Sequence, residues 1–174
     1  MSETQTPNPT PAAAADAPEQ RQVVLQKIFV RDASLEVPLA PEIFTRPWKP
    51  QIDVQVNTDV KTLQQDVYQV TLSLTVTAKL EEDVAFLVEA HQAGVVLVQG
   101  FNTDAERQAV LGAYCPNLIF PFARETVADL VQRAGFPQLL LQPLNFDALY
   151  LDHLKRAREQ QTAAAAATGG ATAH

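Results

Sequence analysis

The chain has 174 residues and is 47% hydrophobic, which supplies material for one domain with a real core. With 13 Lys and Arg against 20 Asp and Glu, its net charge of -7 argues against nucleic acid or an anionic lipid surface as the main partner and leaves basic proteins favoured. A single cysteine excludes an internal disulfide, and no segment has the ~18 uninterrupted apolar residues of a membrane span or the basic-then-apolar order of a secretion signal, so a reducing cytoplasm is expected.

Residues 1–21 open with MSETQTPNPTPAAAADAPEQ, rich in Pro, Ala and Thr without periodicity, and read as a disordered extension. The folded domain is expected over 22–159, followed by a flexible tail over 160–174. In that tail Ala163–Ala167 is a strong helix former that could prolong a preceding helix until Gly169 and Gly170 end it.

From Val23 to about Val98 the pattern is that of strands. In RDASLEV, Ala33 and Leu35 alternate with Asp32, Ser34 and Glu36. PLAPEIFTRPWKP comes next, and its prolines at 38, 41, 47 and 50 exclude ladder pairing and helix interior alike. This loop nevertheless carries Ile43, Phe44 and Trp48, which must either cover the core or line a binding surface. QIDVQVN sets Ile52, Val54 and Val56 on one face. VYQVTLSLTVTAKL is the clearest strand, with Tyr68, Val70, Leu72, Leu74, Val76 and Ala78 opposite a polar face. The acidic run Glu81, Glu82, Asp83 suits a solvated turn. A fourth strand from Val84 sends Phe86, Val88 and Ala90 inward and Leu87, Glu89 and His91 outward, with Gly94 expected to mark a bulge or bend. Four strands in succession suggest an antiparallel, meander-like sheet.

After Thr103 the period becomes helical. Thr103 or Asp104 can cap a short helix ending near Gly112, and Pro116 suits the first turn of a longer one. There Ile119, Ala123, Val127, Leu130 and Ala134 form an i, i+4 stripe, and Gly135 is the expected left-handed cap. Phe120 and Phe122 lie off the stripe, so this helix is apolar on more than one face and should be buried between its own sheet and something else. FPQLLLQPLNFDALY then gives a proline-bounded apolar loop, and Asn145 caps a last helix running through Leu149, Leu151 and Leu154 to Arg158. Strands first and helices second predict an α+β fold with helices packed on one face of a four-stranded antiparallel sheet.

Little here points to chemistry. Nucleophilic use of Cys115 requires a depressed thiol and a base in reach, and no nearby motif supplies a histidine, so a packed small side chain is the expectation and a thiol enzyme the rival. His91, His153 and His174 show no metal-ligand spacing, and the six glycines form no phosphate loop. No catalytic residue, metal site or cofactor is assigned.

LGAYCPNLIFPFARE, FPQLLLQPLNFDALY, APEIFTRPWKP and DVYQVTLSLTVTAKLEEDVAFLVEAHQAG closely resemble the SecB family of bacterial protein-export chaperones, over roughly Val23 to Leu154. The resemblance implies a SecB-like protomer assembled as a homotetramer, a dimer of dimers with its long helices sandwiched between outer sheets. It also implies an ATP-independent holdase that keeps unfolded secretory preproteins translocation-competent in the cytoplasm and delivers them to the SecA motor ATPase, without nucleic acid or membrane insertion. The family's client groove falls here on Ile43, Phe44, Trp48, Phe136, Leu139, Leu141 and Phe146, although Phe136 and Phe146 could equally seal a helix against the sheet. Its SecA-binding face falls on Asp32, Glu36, Leu87 and Glu89. A related chaperone dedicated to one client, such as an antitoxin, is the alternative.

Overall fold

The computed structural model describes residues 20–169, with side chains as far as Thr162. Most of the expected N-terminal extension and the last five residues of the expected tail lie outside the described residues. Four long strands, β1 (Gln22–Glu36), β2 (Gln51–Gln64), β3 (Val67–Leu80) and β4 (Asp83–Gln99), form one antiparallel sheet in the order β1-β4-β3-β2. The expected meander therefore holds only for β2, β3 and β4. Those three are joined by tight turns, in which Asp66 and Glu81 take φ of 58°. The segment 37–50 is instead long and proline-rich, unfit for a hairpin, and it carries the chain from β1 across to the far edge. Within it Glu42–Thr45 forms a single 3-10 turn.

Strict alternation puts Val70, Leu72, Leu74, Val76 and Ala78 of β3 and Phe86, Val88, Ala90, Val96 and Val98 of β4 on one inner face, all of them buried. Gly94 does not interrupt this period. It pairs regularly with Val70, and a Cβ there would meet Ile119 at 3.1 Å and Leu25 at 3.0 Å, so the glycine admits a helix close to the sheet. The register shifts lie elsewhere: one between Thr62 and Gln64 of β2, one between Ala78 and Lys79 of β3 where Ala85 of β4 is skipped, and two in β1, between Leu25 and Lys27 and between Val30 and Asp32. Each of the two in β1 inserts one residue and so reverses the face taken by the next stretch of strand, which hides the early part of β1 from a period-two reading.

The helical half starts as expected: Thr103 Oγ1 accepts a hydrogen bond from the Glu106 N–H at 3.2 Å and caps α1 (Asp104–Ala109). No break occurs at Gly112. A π-helical turn, Val110–Tyr114, leads straight into α2 (Cys115–Arg133). Pro116 has no N–H to give the preceding turn, and a widened turn just before it absorbs the loss while keeping the helix continuous. Pro121 is accommodated within α2, and Gly135, at φ 90°, ends it in the left-handed region as the sequence predicts. Cys115, Ile119, Ala123, Val127 and Val131 face the sheet, so the buried stripe continues from Val127 to Val131, with Leu130 and Ala134 only half-buried. Tyr114 of the π turn and Phe122 of α2 stay exposed.

Asn145 Oδ1 accepts from the Ala148 N–H at 3.0 Å and caps α3 (Phe146–Gly169). The alanine run thus continues the helix. Among the described residues no helix is long and apolar enough to cross a membrane.

Candidate functional site

Two surfaces, on opposite sides of the sheet, carry the candidate residues. On the inner side the proline-rich loop folds over the end of α2 and its aromatic rings gather. Phe136, just after the Gly135 cap, lies 5.0 Å from the ring of Phe44, 5.0 Å from Trp48 and 5.1 Å from Phe86 of β4, while Trp48 stacks on Phe86 at 6.3 Å. Tilted and offset rings at these separations attract through their quadrupoles as well as their area. Ile43, 1% exposed, plugs the loop into the core. Outside, Arg46 Nη1 donates to Asp83 Oδ2 at 2.6 Å and ties the loop to the β3–β4 turn.

The seven groove candidates divide by accessibility. Phe44 is 48% exposed, and Trp48 and Leu139 are half-buried. Ile43, Phe136, Leu141 and Phe146 are buried, and Phe146 meets Phe120 of α2 edge-on at 5.6 Å. Leu140, which the sequence does not single out, is 66% exposed between Leu139 and Leu141. Its signal is weak, because three leucines in a row show no period.

A cleft of ≈ 500 Å³ opens farther along the inner side, between β2, the π turn and α3. Val56 and Val60 supply one wall, Leu111 the floor and Leu149, Tyr150 and Leu154 the other wall. Val60 escapes the sequence pattern because the β2 alternation is plain only to Asn57, whereas the strand continues to Gln64. The inner side of β2 is incompletely covered, leaving Ile52, Val54 and Val60 exposed.

The outer face is polar in the half that carries Glu36, Glu89 and Asp32 and more apolar toward Phe29, Val24, Leu97 and Val67. Cross-strand partners share a face, so the register assembles rows across the sheet. One row is Glu36, Leu87, Thr77 and Asp53; the next is Ser34, Glu89, Thr75 and Gln55; the third is Asp32, His91, Ser73 and Asn57. Asp32, Glu36, Leu87 and Glu89 therefore lie together on the side away from α2, as the alternation required. Asp53, which the sequence alternation already sets opposite Ile52 and Val54, and Asp59, which lies beyond the legible part of that pattern, add carboxylates of β2 to this face. Ser73 Oγ and His91 Nδ1 share a hydrogen bond of 2.6 Å.

Cys115 is fully buried against the sheet, and burial pushes its thiol up to about 12, so it stays protonated at neutral pH. That matches a packed side chain and opposes a nucleophile. Among the described residues no group of His, Cys, Asp and Glu is placed to hold a metal ion.

Residues 16–157 match the family described as "Preprotein translocase subunit SecB". The protein-export protein SecB of Alkalilimnicola ehrlichii is 48% identical over 162 residues, covering 93% of this chain and 85% of the relative. That of Pseudomonas syringae pv. tomato is 46% identical over 154 residues, 88% and 93% of the two chains. The solved SecB-like chaperone Rv1957 of Mycobacterium tuberculosis, in complex with a peptide from the HigA1 antitoxin, superposes with a TM-score of 0.60 at 20% identity, over 70% of this chain and 90% of that one. With a family match spanning most of the described fold and relatives near half identity over nearly the whole chain, this protein belongs to the SecB family.

Proposed function

We propose that this protein is an ATP-independent holdase of the cytoplasm, which binds unfolded secretory preproteins along its inner-side aromatic groove and passes them to SecA docked on the acidic outer face. The observation that carries this reading is the half-exposed pair Phe44 and Trp48, held by rings that are themselves core. Such a surface offers apolar contact without directional demands, so it suits many unfolded chains, each held by several weak contacts. Phe44, Trp48 and Leu139 would touch the client, while Ile43, Phe136, Leu141 and Phe146 back them. Asp32, Glu36, Leu87 and Glu89 would meet a basic segment of the motor, with like-signed carboxylates speeding the encounter.

The exposed Phe122 of α2 and Tyr114 of the π turn support assembly as a dimer of dimers through the long helices. Light scattering with and without a reduced, non-folding secretory precursor, followed by a SecA pull-down, tests the whole reading. The expected result is a mass of about four times 19.0 kDa that takes up precursor and retains SecA. A monomer indifferent to unfolded chains would overturn it. Uptake of several unrelated precursors separates a general holdase from one dedicated to a single client.

A further inference from the structure

The half of the outer face that holds Phe29 carries a second surface, which the SecA reading leaves unused. The two register shifts of β1 build it. A strict period of two would put Val24 on the opposite side from Lys27 and Phe29, and Phe29 on the opposite side from Asp32. Pairing with β4 brings all four together: Val24, Lys27, Phe29 and Asp32 meet Leu97, Val95, Ala93 and His91, alternate residues that point the same way as Glu89. On β3, Leu97 is joined by Val67, and the row of Lys27 and Val95 continues through Gln69 to Lys61 of β2.

The face therefore changes character along its strands. Asp32, Glu36, Glu89 and Asp53 occupy one half, while Phe29, Val24 and Leu97 make an apolar patch in the other, interrupted by the exposed Lys27 and Lys61. The lysine row lies about 20 Å along β4 from Glu89. Helix α2 packs on the inner side of the sheet, and Phe29, Val24, Val95 and Leu97 stay half-buried among their strand neighbours. The lysines repel further basic residues and so confine the cationic part of a partner to the acidic half. Covering the apolar patch releases water, a gain that salt does not screen as it screens ion pairs.

We propose that the SecA segment docked on the outer face is amphipathic: its basic side chains meet Asp32, Glu36 and Glu89, and an adjoining aliphatic or aromatic side chain seats on Phe29, Val24 and Leu97. The inference rests on the reading of the acidic half as the SecA site, which it extends by a contact that does not depend on charge. Phe29 and Leu97 thereby set partner specificity, since a merely basic chain fills only half of the surface.

The test is calorimetric titration with purified SecA, at low and high salt, of the unchanged protein, Glu89→Lys, Phe29→Thr and Val24→Thr. Threonine keeps the β-branched shape that strands favour, and Val24→Thr exchanges only a methyl for a hydroxyl, so that variant guards against a loss of fold. Phe29→Thr should lose roughly tenfold in affinity and Val24→Thr roughly threefold, by the same factor at both salt concentrations. The loss in Glu89→Lys should instead shrink at high salt. Unchanged affinity in both threonine variants, with Glu89→Lys weakened, overturns the inference and leaves the SecA site standing. Absence of SecA binding by the unchanged protein at low salt overturns the site itself and the inference with it. A lower mass of the threonine variants in light scattering would assign the patch to a second copy of this chain, and an equal loss of affinity for an unfolded precursor would assign it to clients; either result overturns the inference.

Discussion

The aromatic groove and the outer face lie on opposite sides of the same four strands, and they differ in what holds their side chains. In the groove the exposed rings lean on buried ones: Phe44 and Trp48 rest on Phe136, which rests on Phe86 in the core. On the outer face Asp32, Glu36 and Glu89 owe their placement to strand register alone, and His91 to register and one hydrogen bond. A change in the groove therefore propagates into stability, whereas a change on the outer face stays local.

The strongest test of this contrast is Phe86→Ala. Removing a fully buried ring that braces both Trp48 and Phe136 should cost ~3–5 kcal/mol, read as a lower urea midpoint at fixed protein concentration, and should blunt client binding as well. Unchanged stability would mean that the groove is not an extension of the core. Next is Trp48→Ala, where the ring is only half-buried: affinity for an unfolded precursor should fall roughly tenfold, with oligomer mass unchanged. If affinity holds, the loop covers the core and does not receive clients.

Glu89→Lys should weaken SecA binding by roughly five- to tenfold at low salt and less at high salt, while stability and client affinity stay within error. Loss of client affinity in parallel would break the independence of the two faces. The smallest effect concerns Cys115. Its thiol should resist alkylation in the folded protein and react once unfolded. Burial raises the folded-state value to about 12 from 9.0, so the native state holds the proton more firmly. The stability this provides is complete below about pH 9 and drains away as pH rises toward about 12. Cys115→Ala should flatten that alkaline decline and cost only about 1 kcal/mol otherwise, measured by denaturant titrations across the alkaline range.

Much of this is readable because β3, β4 and the sheet-facing side of α2 obey their periods faithfully. Each of those elements is buried along its length, and burial selects apolar residues at the period of the backbone. The caps at Thr103, Asn145 and Gly135 are equally visible, since each answers a local need for a hydrogen-bond acceptor or a positive φ. Early β1 is not readable, because its bulges shift the period, and neither is the continuity of α1 with α2, because Pro116 and Gly112 locally signal a break that a single π turn removes.

The amino-acid sequence by itself determined the order of strands and helices, the separation of the sheet into an apolar and a polar face, and the family to which the resemblance pointed. Only the tertiary structure decided that β1 crosses to pair with β4, which of the groove candidates are core and which reach solvent, and that His91 bonds Ser73 across β3 and β4. Periodicity and capping are governed by neighbours along the chain, whereas cross-strand rows and ring clusters join residues far apart in it. Those contacts are set by how whole elements pack, which no local pattern encodes.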